Sequence, residues 1–247
     1  MKKLLITVFF FILFISNSLS DTPIEKRKFV LYANLPIIPK IPVIEISTNL
    51  LYLNDIEFNL DFTVKTVNLV SSFSFIEGKG SVKGYKKENK YYPKLYQYNY
   101  TRNDKKKSVY LKYLNEKIIE ENFNPKFDKN KLTPVKEKQK DSSIDPATFF
   151  LRLLDISQTN LCTDNVKIYD GKRRYDINFN EKKIVNEIIE CPAKQVRIGG
   201  YKKDKIDPLT KADIVTIRYK NSQNKEFLEF YAKKGLIQIS IEESLID

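Results

Sequence analysis

The stretch Ile56-Glu57-Phe58-Asn59-Leu60-Asp61-Phe62-Thr63-Val64-Lys65 decides the fold. Apolar and polar residues alternate through all ten positions, and a period of two puts each kind on its own face of an extended strand. A helix turns once every 3.6 residues and cannot sort these side chains onto two faces. The stretch reads as a strand with one face in a core and the other in water. Outward from it the alternation recurs. Tyr96, Tyr98 and Tyr100 alternate with Gln97 and Asn99, and Val109, Leu111 and Tyr113 lie beyond the charged turn Asn103 to Lys107, which predicts a hairpin. Val166-Lys167-Ile168-Tyr169 runs into Asp170-Gly171, a dipeptide suited to a tight turn, and Tyr175, Ile177 and Phe179 alternate on the return.

Three more strands are expected, roughly Ala193 to Tyr201, Asp213 to Tyr219 and Phe227 to Ala232. Lys233-Lys234-Gly235 then turns the chain into Ile237, Ile239 and Ile241. Phe29 to Ser47 is strand-like but carries Pro36, Pro39 and Pro42; proline has no N–H for a ladder, so this segment should lie at an edge or be interrupted. One helix is signalled. Asp145 can cap it, Pro146 suits its first position, and Ala147, Phe150, Leu151 and Leu154 share a face. Phe123 to Ser143, rich in Lys, Pro and Asp, reads as a surface loop. The predicted class is mainly β: an antiparallel β-barrel-like sheet or curved sandwich with one short helix near 145–155, in a single domain over residues 21–247.

Residues 1–20 have the three parts of an export signal. Lys2 and Lys3 are the positive start, Leu4 to Ile15 is an apolar run of 12 residues, and Ser18 and Ser20 stand before a cut between Ser20 and Asp21. A membrane anchor needs about 20 apolar residues, so the segment is expected to be cleaved, leaving no transmembrane anchor. The chain is formally +12, and losing two lysines from 43 Lys and Arg against 31 Asp and Glu leaves +10. That balance favours acidic partners. It is also how an AT-biased genome writes a surface, with abundant Lys, Asn, Ile and Tyr and no Trp. Export confines partners to the envelope or beyond, so nucleic acid is not an expected one.

The chain has no histidine, which removes His general bases, Ser–His and Cys–His pairs and every His-containing metal site. Two cysteines cannot make a Cys-only zinc site. In an oxidising compartment Cys162 and Cys191 read as one structural disulfide rather than a closely spaced redox pair. Acidic residues such as Asp55, Glu57, Asp61, Glu187, Glu190 and Asp213 fall at polar strand phases or in turns, and no pair is singled out for carboxylate catalysis. Two groups could contact a ligand. Lys172, Arg173 and Arg174 beside the Asp170-Gly171 turn could hold an anion or an acidic partner. The ladder Tyr96, Tyr98 and Tyr100 could stack on a ring, although packing is the ordinary use of such residues.

The order Asp145-Pro146-Ala147-Thr148-Phe149-Phe150-Leu151-Arg152, Cys162, Asp170-Gly171-Lys172-Arg173-Arg174-Tyr175-Asp176, Cys191 and Gly199-Gly200-Tyr201 resembles the domain-of-unknown-function family 3108, exported proteins of Gram-negative bacteria. Phe29-Val30-Leu31-Tyr32 would stand where that family begins its first strand. The proline-bearing stretch 36 to 42 departs from it, where a glycine-containing turn would be expected. The resemblance implies a periplasmic β-rich domain and brings no catalytic residues. The expected function is that of a monomeric, non-enzymatic envelope protein without cofactor, binding a lipid or other amphipathic component in an apolar cavity. The alternative is a scaffold that binds an acidic envelope partner through its basic surface.

Overall fold

The computed structural model describes residues 24–35, 38–68, 71, 75–155, 162, 165–203, 214–221, 226–234 and 237–244. The export segment and its cut site lie outside these residues, as do Asp213 and Gly235. In chain order the strands are β1 (Ile24–Leu35), β2 (Ile38–Tyr52), β3 (Glu57–Thr66), β4 (Ile76–Lys87), β5 (Lys90–Arg102), β6 (Lys105–Leu114) and β7 (Lys117–Asn124). Two helices follow, α1 (Glu137–Lys140) and α2 (Pro146–Leu154). The strands β8 (Val166–Tyr169), β9 (Arg174–Phe179), β10 (Lys183–Val185), β11 (Ile188–Gly199), β12 (Ile214–Lys220), β13 (Glu226–Lys234) and β14 (Ile237–Ser244) complete the order. All ladders are antiparallel and form one sheet, ordered β7-β6-β5-β4-β3-β2-β1-β14-β13-β12-β11-β9-β8, with β10 on β11. Among the described residues no pairing joins β7 to β8, so the ladder does not close.

The deciding stretch becomes β3, with Phe58, Leu60 and Phe62 buried and Asp61, Thr63 and Lys65 exposed. Its first residue is a correction. Ile56 is 58% exposed in a bend before the strand, where the Asn54 side-chain oxygen accepts the N–H groups of Ile56 and Glu57 at 2.9 and 2.7 Å. That bond fixes the turn and withholds Ile56 from the core face.

Asparagine does more here than follow genome bias. Glu88-Asn89, Asn103-Asp104, Asn115-Glu116 and Asn186-Glu187 each hold both residues at positive φ, between 47° and 62°, and join β4–β5, β5–β6, β6–β7 and β10–β11. Two successive left-handed residues make the two-residue turn whose twist suits a hairpin, and Asn tolerates that region better than most side chains. In a chain with only seven glycines, asparagine takes that part.

The proline-bearing segment forms a hairpin after all. β1 pairs with β2 along most of its length, with a register shift where Tyr32 faces Pro42 and Leu31 faces Ile44. Pairing of β2 with β3 begins only at Ile44–Thr66, so residues 38–42 have β1 as their single neighbour. There β2 is locally an edge, and proline is tolerated.

The glycines of β4 were not predicted as part of a strand. Gly78, Gly80 and Gly84 lie on one face, where rings of the flanking strands cover them: a Cβ on Gly80 would stand 2.2 Å from Phe62 Cζ, and one on Gly84 2.6 Å from Phe58 Cζ. One core cluster gathers Leu50, Phe58, Leu60, Phe62, Val82 and Leu111 with Leu151 of α2. A second gathers Phe29, Ile189, Ile217, Tyr219 and Phe227 with Leu153 and Leu154. The helix contributes side chains to both and so joins them. Its hydrophobic side explains its position, and the stacking edge of Phe150 on Phe29, centroids 4.9 Å apart, fixes it.

Candidate functional site at the sheet seam

The two ends of the sheet, β7 and β8, approach one another without a ladder between them. Residues 129–144 run between them as a strap. At one end Thr133 N–H donates to Tyr201 O and Gly200 N–H to Thr133 O, both at 2.8 Å. At the other, Ser142 N–H donates to Glu116 O at 3.0 Å, while Ile144 bonds in parallel with β8 through Ile144 N–H to Lys167 O and Tyr169 N–H to Ile144 O, each 2.9 Å. The segment read as a surface loop is thus tied down on both sides, with α1 inside it.

A polar clasp holds its middle. Lys140, with a side chain 8% exposed, donates to Glu121 of β7 and to Glu137, both at 2.9 Å. Tyr169 of β8 donates to the other Glu121 oxygen at 3.1 Å. Burial alone would lower the Lys140 pKa, yet the bonds to Glu121 and Glu137 hold it above its ordinary value. Lys140 therefore remains a cation and links two sheet edges that the backbone does not join.

The strap then turns inward at Asp145, which caps α2 as its sequence signalled. One carboxylate oxygen accepts from Ala147 N–H at 3.0 Å and Thr148 N–H at 2.8 Å, and the other from the Thr148 hydroxyl at 2.6 Å. Asp145 is fully buried, and burial lifts its pKa to about 6 in spite of those bonds. At its far end α2 is anchored by Arg152, whose Nε and Nη2 donate to Tyr91 O at 2.9 and 2.6 Å.

A cleft of about 300 Å³ opens where strap, helix and sheet ends meet. Lys90, Tyr92 and Pro93 of β5, Tyr113 of β6, Ser142 to Ile144 of the strap and Arg152 of α2 form its walls, with Glu116 contributed by the β6–β7 turn. Its lining is mostly polar and aromatic, with Pro93, Ile144 and Val166 as its aliphatic members. Beside the cleft, α2 packs its apolar side into both core clusters. Tyr113 is 6% exposed, and its hydroxyl is buried without a hydrogen-bond partner among the described residues. Sequence reasoning placed Tyr113 on a strand but did not single it out, nor Lys90 or Arg152.

The residues that were singled out lie toward the other end of the strands. Tyr96 is buried, with its ring parallel to Phe62 at 6.4 Å, whereas Tyr98 and Tyr100 are half-buried and stack on each other at 4.8 Å. Burial raises the Tyr98 pKa to about 12. The three cations do not act as one group. Arg174 is 3% exposed and donates to Gln139 O at 2.6 Å and Asp176 at 2.6 Å, so it pins the strap. Arg173 pairs with Asp170 at 2.7 Å. Lys172 lies over the Phe127 ring at 5.2 Å, and its pKa is lowered by burial and by the nearby charge of Arg173. Cys162 and Cys191 are bonded, with Cα atoms 5.1 Å apart and Cys191 fully buried beside the second cluster. Among the described residues no three His, Cys, Asp or Glu side chains gather as metal ligands would, and no helix is long and apolar enough to cross a membrane.

The profile of the family described as "Protein of unknown function (DUF3108)" matches residues 40–226. No curated protein sequence matches the chain. Among solved structures, the crystal structure of a β-barrel-like protein of domain of unknown function DUF1849 from Brucella abortus is similar. Its TM-score is 0.42 at 8% identity, over 90% of this chain and 96% of that one.

Proposed function

Since the chain belongs to the DUF3108 family, whose description supplies no activity to inherit, we propose from the seam that it is a non-enzymatic binding protein of the bacterial cell envelope. It acts as a monomer and takes an amphipathic ligand by its polar end. The observation that carries this reading is the cleft of about 300 Å³, open between strap, helix and sheet ends and walled by polar groups. Small-molecule pockets run from roughly 300 to 1,000 Å³, so the cleft is sized for a head group and leaves an apolar tail outside it. The disulfide supports export, since such bonds persist in oxidising compartments.

The test is native mass spectrometry of the protein released from the periplasm of its own host, with solvent extraction of the same sample. An amphipathic molecule bound one to one is the expected result, and a protein that is empty in every preparation overturns it. A second reading, a scaffold for an acidic partner, is favoured by one observation. Arg173, Lys202 and Lys107 all act electrostatically on Lys172, so cations gather around the β8–β9 turn. Charge reversal at Lys172 and Lys202 removes such a partner in pull-down and leaves a cleft ligand bound.

A further inference from the structure

We propose that the end of the sheet opposite the cleft docks on an anionic bilayer surface, through the lysine-rich segments 102–107, 126–131, 170–173 and 200–203 with Phe75 beside them. This rests on the reading of the basic surface as a docking face and names its acidic partner as lipid. The four segments hold eleven Lys and Arg against three Asp. At the cleft end, the turns 53–57, 86–90, 114–117 and 183–187 hold five Lys against five Asp and Glu. Charge thus separates the two ends, one basic and the other balanced.

Contacts draw the four segments together. Lys107 stands opposite Tyr100 across the β5–β6 ladder. Burial, then the charge of Asp170, raise the Tyr100 pKa, and Arg102 and Arg173 act against them, so the β5–β6 and β8–β9 turns are neighbours. A Cβ on Gly171 would stand 2.6 Å from Val109 Cγ1, and one on Gly200 1.8 Å from Lys172 O, which wedges the β8–β9 turn between β6 and residues 200–203. Lys203 N–H donates to Lys131 O at 3.3 Å, and Lys172 lies over the Phe127 ring. Phe75, 36% exposed, is held at the same end: its N–H donates to Asn103 Oδ1 and Asn103 N–H to Phe75 O, both at 3.0 Å. Two arginine forks that would suit a fixed carboxylate are already engaged, Arg173 with Asp170 and Arg174 with Asp176. What faces solvent is mostly lysine: Lys105, Lys106, Lys126 and Lys202 are exposed and in no ion pair among the described residues. Flexible point charges fit a fluid layer of phosphate head groups, whereas a folded acidic partner needs charges fixed in matching positions. The exposed ring adds the apolar contact that interfacial segments use.

Co-sedimentation of the untagged mature chain with vesicles tests the proposal, using pure phosphatidylcholine and a mixture in which a third of the lipid is phosphatidylglycerol. Binding should be confined to the anionic vesicles and fall away in molar salt, where the screening length drops to about 3 Å. Each cation at the surface is worth roughly fivefold in partitioning, so Lys105→Gln with Lys106→Gln should weaken binding about 25-fold. Lys87→Gln with Lys117→Gln, at the cleft end, should leave it unchanged. Phe75→Ser should weaken binding and keep its salt dependence. All five positions are exposed, so these variants keep the fold. Equal losses from the two lysine pairs mean a general charge attraction and overturn the proposal, as does equal binding to both kinds of vesicle. An unaffected Phe75→Ser overturns the placement of that tip on the bilayer. No vesicle binding, with a protein still lost in pull-down on charge reversal at Lys172 and Lys202, overturns lipid as the partner while the basic-surface reading stands. Absence of both vesicle and protein binding overturns both.

Discussion

Asp145→Asn should make the protein more stable at neutral pH and leave it nearly unchanged in acid. Asparagine keeps a side-chain oxygen for the N–H groups of Ala147 and Thr148, so the cap survives. What disappears is the buried charge. Asp145 rises from an ordinary 3.8 to about 6 in the folded protein, which is worth about 3 kcal/mol at 1.36 kcal/mol per pH unit. The folded state holds the proton more tightly than the unfolded state, so between those pH values unfolding releases a proton and stability falls as pH rises. The favourable contribution is complete below pH 3.8 and has gone above about pH 6. Urea unfolding of both proteins from pH 3.5 to 7.5 isolates the effect, because titrations elsewhere cancel in the difference. The variant should gain up to about 3 kcal/mol on the wild type across that range. A difference independent of pH, or one favouring the wild type at pH 7.5, would refute the reasoning.

Lys140→Met keeps the buried stem but removes the clasp cation. It should cost about 2 to 3 kcal/mol, below the figure for a fully buried pair because Glu121 remains 28% exposed. Amide exchange should accelerate at Ser142 and Ile144 before β3 is affected; uniform acceleration would contradict a clasp local to the seam. Gly80→Ala sets a Cβ against Phe62 and should cost about 1 to 3 kcal/mol. Adding Phe62→Leu should recover part of that loss, and strictly additive costs in the double-mutant cycle would show that the ring does not cover this glycine.

The strands whose inner residues are large and apolar could be read directly. β3, β5 and β6 alternate because one face is in the core and the other faces outward, and the Asp145-Pro146 start of α2 was legible for a local reason, a cap followed by a helix-compatible proline. β4 was missed because its inward face holds Gly78, Gly80 and Gly84 around a single buried Val82: the rings that fill that space belong to neighbouring strands, so β4 itself carries little hydrophobic signal. β7 was missed because an edge strand buries little; its pattern is mostly exposed, and the dipeptide before it, Asn115-Glu116, is a weak turn signal without glycine. The cleft was invisible for a different reason. Its walls come from residue 90 to residue 166, and no local spacing brings Lys90, Tyr113 and Arg152 together before the sheet curls.

The cleft exists because the sheet is left unclosed. A direct β7–β8 ladder would set those strands about 4.8 Å apart and add several backbone bonds, each worth about 0.5 to 1.5 kcal/mol. It would also leave no room for Ser142 to Ile144, which form the outer wall of the cleft. Two other unfavourable features lie beside it: the hydroxyl of Tyr113, buried without a hydrogen-bond partner among the described residues, and the buried carboxylate of Asp145, close enough that the second shifts the pKa of the first. Elsewhere the asparagine turns and the glycines beneath aromatic rings agree with the fold, and Asn59 Oδ1 on β3 is a further buried polar atom without a hydrogen-bond partner among the described residues. Tyr113→Phe and Asp145→Asn are therefore both expected to strengthen the fold, the first by removing a buried hydroxyl and the second by removing a buried charge.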